Sequence, residues 1–99
     1  MFCTKIHRSY RTVVAICDSE LIGKKFEEDK RQLYLREGFY KDKEIDEKEL
    51  RKLIKMQILE DATFNIVGKE TIKIAIEEGM IKPEGVLEIA GIPFALKLI

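Results

Sequence analysis

The sequence has little material for covalent or metal chemistry. It contains one histidine, two cysteines and no tryptophan among its 99 residues. Nucleophilic catalysis normally pairs a nucleophile with a basic histidine. Because His7 is the only histidine in the sequence, most classes of hydrolase are disfavoured. Cys3 and Cys17 are too few for a disulfide scaffold and are wrongly spaced for a zinc site. We therefore expect no catalytic residue, no metal site and no cofactor.

Long apolar runs and net charge are also absent. No segment approaches the roughly 20 apolar residues of a membrane-spanning helix. The first residues lack the apolar core and the small-residue cleavage site of a signal peptide, so we expect a cytoplasmic protein with no membrane partner. Lysine plus arginine equals aspartate plus glutamate, 18 of each. No overall field therefore attracts nucleic acid, although a local basic patch still can.

Uncharged amides are scarce, since Asn65, Gln32 and Gln57 are the only ones. Charged residues make up 36% of the chain, which is well above the usual quarter. Many charges and few thermolabile amides are typical of hyperthermophilic proteins. The composition therefore predicts a thermophilic source.

The hydrophobic pattern predicts a single α+β domain over the whole chain. Alternating and β-branched residues indicate a hairpin with strands near 2–8 and 11–17, and a third strand near 31–36. Apolar residues at helical spacing predict helices at 46–60, with Asp46 as the N-cap, and at 69–78. Two alternating runs hinged at "GIP" end the chain. The order β-β-β-α-α-β-β favours a mainly antiparallel sheet with both helices on one face.

The stretch "NIVGKET" resembles a phosphate-binding loop only superficially. A Walker A loop has glycine five residues before the Gly-Lys pair and Ser or Thr after it, whereas Thr63 and Glu70 occupy those positions. We interpret residues 62–68 as a link between the two helices, with Gly68 at the start of the second. A weak anion site at that helix start is the functional alternative, and Asn65 would add a donor.

The stretch "CDSELIGK" places Asp18 and Glu20 after the second strand, where paired carboxylates can transfer protons or hold a cation. No third ligand has matching spacing, so a cap and a solvated face are the simpler interpretation. Cys3 is expected opposite Cys17 across the hairpin. Two buried thiols are the default for such a pair, and a cross-strand disulfide stays open.

The first hairpin is basic, and no acidic residue occurs before Asp18. Lys5, Arg8 and Arg11 surround Tyr10 at the predicted turn, and we expect Lys24 beside them. Basic residues with an interleaved aromatic can bind phosphates and stack a base. A solvated hairpin tip is the simpler alternative.

Three segments resemble a family of small archaeal proteins classed as a domain of unknown function: "AICDSELIGKKF", "FYKDKEID" and "DATFNIVGKETIKIAIEEGMIKPEGVLEIAGIP". The resemblance covers nearly the whole chain and is most specific at residues 17–24 and 65–68. Phe64, and "KDK" after Tyr40, depart from the family pattern, both in predicted loops. The resemblance implies an archaeal origin and a link to translation genes, but no activity.

These observations lead to three hypotheses. The leading one is a binding module without enzymatic activity that acts with RNA or a translation-related complex through the basic hairpin. The second is a small-ligand binder or enzyme with a site between residues 17–24 and 65–69, using Asp18, Glu20, Lys24, Asn65 and Gly68. The third is a protein–protein interaction subunit that uses a sheet edge or a helix face. The sequence leaves the oligomeric state open.

Overall fold

The chain folds as strands and helices around one six-stranded sheet, in a computed structural model that describes residues 1–98. The strands are β1 (Phe2–Arg8), β2 (Thr12–Asp18), β3 (Lys25–Glu28), β4 (Arg31–Tyr34), β5 (Lys43–Ile45), β6 (Thr63–Val67), β7 (Leu87–Ile89) and β8 (Ile92–Lys97). The helices are α1 (Glu37–Tyr40), α2 (Glu47–Leu59) and α3 (Lys69–Glu77), and 3-10 turns lie at Ser19–Leu21 and Pro83–Gly85. Within residues 1–98, no helix is both long enough and apolar enough to cross a membrane.

The main sheet has the strand order β5-β1-β2-β6-β8-β7, and all its pairings are antiparallel except β2 with β6. The predicted α+β class and the mainly antiparallel sheet are confirmed, and the strand predicted near 11–17 is β2, in the middle of the sheet. The interpretation of residues 62–68 as a link was wrong, because most of this segment is β6. Phe64, placed in a loop by the sequence, is 1% exposed in the core. A short strand buried on both faces shows no alternation, so its pattern resembles an apolar linker.

The two faces of the sheet are covered by different elements. Alternate residues such as Val14 and Ile16 face α2 and α3, where they pack with Leu50, Ile54 and other apolar side chains. Residues of the opposite parity, such as Ala15, pack under α1 and the β3–β4 hairpin. The two predicted helices therefore lie on one face. The short helix α1 on the other face was not predicted.

The strand predicted near 31–36 is β4, which pairs with β3 in a separate two-stranded sheet. The sequence missed β3 because its four residues include a single apolar side chain, Phe26. The element order is thus longer than the predicted β-β-β-α-α-β-β. At the C-terminal end the two alternating runs are β7 and β8, joined by a tight turn in which Ala90 and Gly91 both have positive φ.

The long helices begin where the sequence predicts. Asp46 caps α2, since its Oδ1 accepts a hydrogen bond from the Glu49 backbone N–H at 2.9 Å. Leu50 and Ile54 lie one turn apart on its inner face and are fully buried. Burial of each such side chain stabilises the fold by about 1.5–3 kcal/mol. α3 begins after Gly68 and ends before Gly79, whose φ of 75° closes the helix.

Candidate functional site

The carboxylate of Asp18 occupies the start of α3. Because β2 runs parallel to β6 with Cys17 beside Val67, the end of β2 lies next to the first turn of the helix. Asp18 Oδ2 accepts from the Glu70 N–H at 3.1 Å, and Oδ1 accepts from the Thr71 N–H at 2.8 Å and the Thr71 hydroxyl at 2.7 Å. These are the N–H groups that an external anion would need, so the protein's own carboxylate fills the predicted anion site.

Gly68 allows this close approach. Its φ of 114° is a conformation that side chains disfavour. A Cβ at this position would lie 2.6 Å from Asp18 Oδ2 and 2.7 Å from Oδ1. Gly68 therefore serves the backbone turn and leaves space for the carboxylate, in agreement with its predicted role at the helix start.

The remaining residues of the second hypothesis do not converge on this point. Asn65 lies beside Ala15, on the face opposite Asp18, and its Oδ1 accepts a hydrogen bond from the Tyr40 hydroxyl at 3.2 Å. Glu20 and Lys24 are exposed around the 3-10 turn. Of the five residues proposed for a ligand site, the structure joins only Asp18 and Gly68, in a contact that is structural.

The two cysteines lie directly opposite each other in β1 and β2, as predicted. Both are buried, and their sulfur atoms are not joined. Burial, together with the neighbouring Cys3, Asp18 and Glu20, raises the pKa of Cys17 to about 12. Cys17 is therefore a neutral thiol at physiological pH, whereas nucleophilic attack requires the thiolate.

His7 lies away from Cys17, because it pairs with Val13 across the hairpin. Its Nε2 donates to the Phe39 carbonyl at 2.8 Å, and its ring stacks on Phe39 with centroids 4.5 Å apart. Among residues 1–98, no three His, Cys, Asp or Glu side chains are grouped so that they could hold a metal ion.

The basic residues of the first hairpin are distributed over both faces of the sheet. Lys5 lies on the α1 face, where its Nζ donates to the Gly38 carbonyl at 2.8 Å. Arg8 has the parity of Ile6 and lines a groove on the α2 face. Arg11 and Tyr10 lie in the turn. Lys24 does not lie beside them, because it follows the 3-10 turn at the opposite end of β2.

Tyr10 is 99% exposed, and Arg8 and Arg11 beside it are exposed as well. Neither arginine forms an ion pair with any of the described residues. Arg8, Tyr10 and Arg11 are therefore exposed neighbours in sequence, and neither arginine has an ion-pair partner among the described residues.

A groove of about 600 Å³ beside β1 was not predicted. β5 pairs with Phe2, Cys3 and Thr4, and no strand within residues 1–98 pairs with the outer edge of β1 from Lys5 onward. The groove lies between this edge and α2. The position of the groove depends on where the pairing of β5 with β1 ends, and no local sequence pattern predicts that point.

The fold and its polar groups define a small α+β domain with an internally capped helix and a basic hairpin. The family model described as "Protein of unknown function (DUF424)" matches residues 7–98, and the chain belongs to this family. A solved structure of an uncharacterized conserved protein from Methanopyrus kandleri has the same fold, with a TM-score of 0.85 and 23% identity over 96% of this chain and 88% of that one. A comparison with curated proteins gives no significant match.

Proposed function

We propose that the protein is a cytoplasmic binding module without enzymatic activity, and that its hairpin turn contacts RNA, in isolation or within a translation-related complex. The observation that supports this proposal is the exposure of Tyr10 between Arg8 and Arg11. A tyrosine normally buries most of its ring in a core or an interface. A solvated ring close in sequence to two arginines that form no ion pair with the described residues is suited to a partner that brings both a flat apolar surface and negative charge.

Single-stranded RNA has both properties. Its bases stack on aromatic rings, and its phosphates accept hydrogen bonds from arginine. Lys5 adds positive charge from the α1 face, although its Nζ is also held by the Gly38 carbonyl. Lys24 lies at the other end of β2 and belongs to a different surface. Because the chain carries no net charge, attraction to RNA depends on this local cluster.

The test is the salt dependence of RNA binding. Three phosphate contacts, from Lys5, Arg8 and Arg11, predict a log–log slope of the binding constant against salt of roughly −2 to −3. Replacing Arg8 and Arg11 with alanine should flatten the slope by about 1.5. Tyr10→Ala should weaken binding by about 1–3 kcal/mol at every salt concentration, since stacking releases no counterions.

The matched control is the pair Lys69→Ala and Lys73→Ala, which removes two exposed positive charges from α3. These changes should leave the slope unaltered. Equal flattening by the control pair would show that binding follows net charge rather than the hairpin. If single-stranded RNA, structured RNA and ribosomal subunits all fail to bind at low salt, the proposal is wrong.

A further inference from the structure

The outer edge of β1 is an open position in the sheet. β5 is three residues long and leaves β1 at Thr4, whose carbonyl accepts from the Asp42 N–H at 3.0 Å. The backbone groups of Thr4 therefore face outward from the β1–β2 pair. Since backbone polar groups alternate in direction along a strand, those of Ile6 and Arg8 face the same way. No described strand pairs with them.

The groove beside this edge has an apolar floor and a charged rim. Ile6, Ile45, Leu53 and Met56 contribute apolar surface, and Met56 is 63% exposed. A strand placed alongside Ile6–Arg8 would direct every second side chain toward this floor. Open backbone groups beside an apolar groove are the two elements of strand-addition recognition, in which main-chain hydrogen bonds give affinity and side-chain pockets give specificity.

The charges around the edge indicate the chemistry of the added strand. On the α2 face the rim carries Arg8, Lys43 and Lys52 against Asp42 and Glu49. On the α1 face, Lys5 lies beside the same edge. None of these side chains forms an ion pair with a described residue. Basic groups on both faces favour an acidic strand. A second copy of this chain would instead bring the same basic residues against themselves.

We propose that this edge binds an extended, acidic segment of another protein, which pairs with Ile6–Arg8 as an added strand and places apolar side chains in the groove against Leu53 and Met56. This protein partner would occupy the edge of β1, which shares Lys5 and Arg8 with the RNA contact proposed at the turn. It gives Arg8 a backbone role, through its N–H, in addition to its charge.

The test uses a capped synthetic peptide of alternating valine and glutamate, added to the full chain and followed by amide NMR. We expect shift changes at residues 5–8 and at Leu53 and Met56. The matched probe is the same peptide with alternate backbone nitrogens methylated, which keeps the charge and removes donors. We expect it to bind at least about tenfold more weakly, since tenfold corresponds to about 1.4 kcal/mol, the size of one net hydrogen bond.

Two variants of the protein separate backbone from charge. Arg8→Ala removes the side chain, whereas Arg8→Pro also removes the outward N–H. Proline is tolerated at an edge strand whose N–H faces solvent. We expect Arg8→Pro to bind the peptide more weakly than Arg8→Ala, with thermal unfolding showing that both variants are folded. Lys52→Glu, which leaves β1 unaltered, should shift preference toward a valine–lysine peptide.

Several outcomes would overturn the proposal. Equal affinity of the methylated and unmethylated peptides would exclude main-chain pairing, and no binding at millimolar peptide would exclude the site. Concentration-dependent dimers that broaden residues 5–8 would assign the edge to a second copy of this chain. Shifts at Ile6, Leu53 and Met56 on adding oligouridylate, together with displacement of the peptide, would assign the groove to nucleic acid.

Discussion

The carboxylate of Asp18, at the end of β2, bonds to two residues of α3 that follow it by 52 and 53 positions in the sequence. Asp18 is 4% exposed, and its oxygens accept three hydrogen bonds from Glu70 and Thr71. A carboxylate at a helix start satisfies N–H groups that have no partner within the helix and interacts favourably with the helix dipole. The cap is therefore a tertiary contact as well as a local one, and Gly68 is the residue that leaves it room.

Gly68→Ala should destabilise the protein by about 2–4 kcal/mol, because it adds a strained φ and a contact with the Asp18 carboxylate. Urea denaturation measures the change. The matched control is Gly38→Ala, since a Cβ at Gly38 meets no atom within 4 Å and its φ is not positive. Equal stability of the two variants would show that Gly68 is not constrained.

At the scale of elements, Arg51 ties α2 to α3. Its guanidinium contacts Glu47 at 3.1 Å on its own helix, and Glu77 at 2.6 Å and Glu78 at 2.8 Å at the end of α3. The hydrogen bond from Arg51 holds the pKa of Glu78 below its ordinary value of 4.5. The two helices thus share a charged contact above the apolar core that both cover.

The lowered pKa of Glu78 predicts how stability responds to acid. A carboxyl whose folded pKa is depressed stabilises the fold above its unfolded pKa, and this contribution is lost as pH falls through the folded value. The melting temperature should therefore fall as the pH drops below the ordinary value of 4.5, and it should fall less for Glu78→Gln. Glu60→Gln, a change at an exposed glutamate, is the control. Parallel pH curves for the native protein and Glu78→Gln would contradict this assignment.

The sequence predicted the elements whose stability is largely local. α2 and α3 have helical periodicity and recognisable ends, and the β1–β2 hairpin has an alternating run before a polar turn and a β-branched apolar run after it. β6 was missed because its extended conformation depends on pairing with β2 and β8, which are distant in the sequence. The meeting of Asp18 with Gly68 depends on that parallel pairing, so neither motif alone could reveal it. Lys24 was misplaced because the course of the chain after Asp18 has no local signature.

At the scale of the whole molecule, the two sheets are stabilised by different contacts. β2 and β6 lie in the middle of the main sheet with both faces covered. Two hydrogen bonds join the β3–β4 hairpin to the β7–β8 region. Arg31 Nη2 donates to the Glu88 carbonyl at 2.6 Å, and the Ala90 N–H donates to Glu28 Oε1 at 2.9 Å. Its strands are mostly exposed.

The rate of amide hydrogen exchange should therefore differ between the main sheet and the β3–β4 hairpin. We expect the amides of β2 and β6 to exchange near the rate of global unfolding, and those of β3 and β4 at least about a hundredfold faster through local opening. Arg31→Ala should accelerate exchange in β3 and β4 and leave β2 unaffected. Uniform protection across both sheets would show that the hairpin opens only when the whole domain unfolds.

Because the carboxylate that caps α3 comes from β2, the stability of the first turn of this helix depends on the register in which β2 pairs with β6. If β2 paired with β6 one residue out of step, Asp18 would move to the other face of the sheet, and the first N–H groups of α3 would lose their acceptor. A misaligned pair thus forfeits the helix cap as well as its own core contacts. Correct pairing of β2 with β6 and completion of α3 are consequently coupled events, although more than 40 residues separate the two strands.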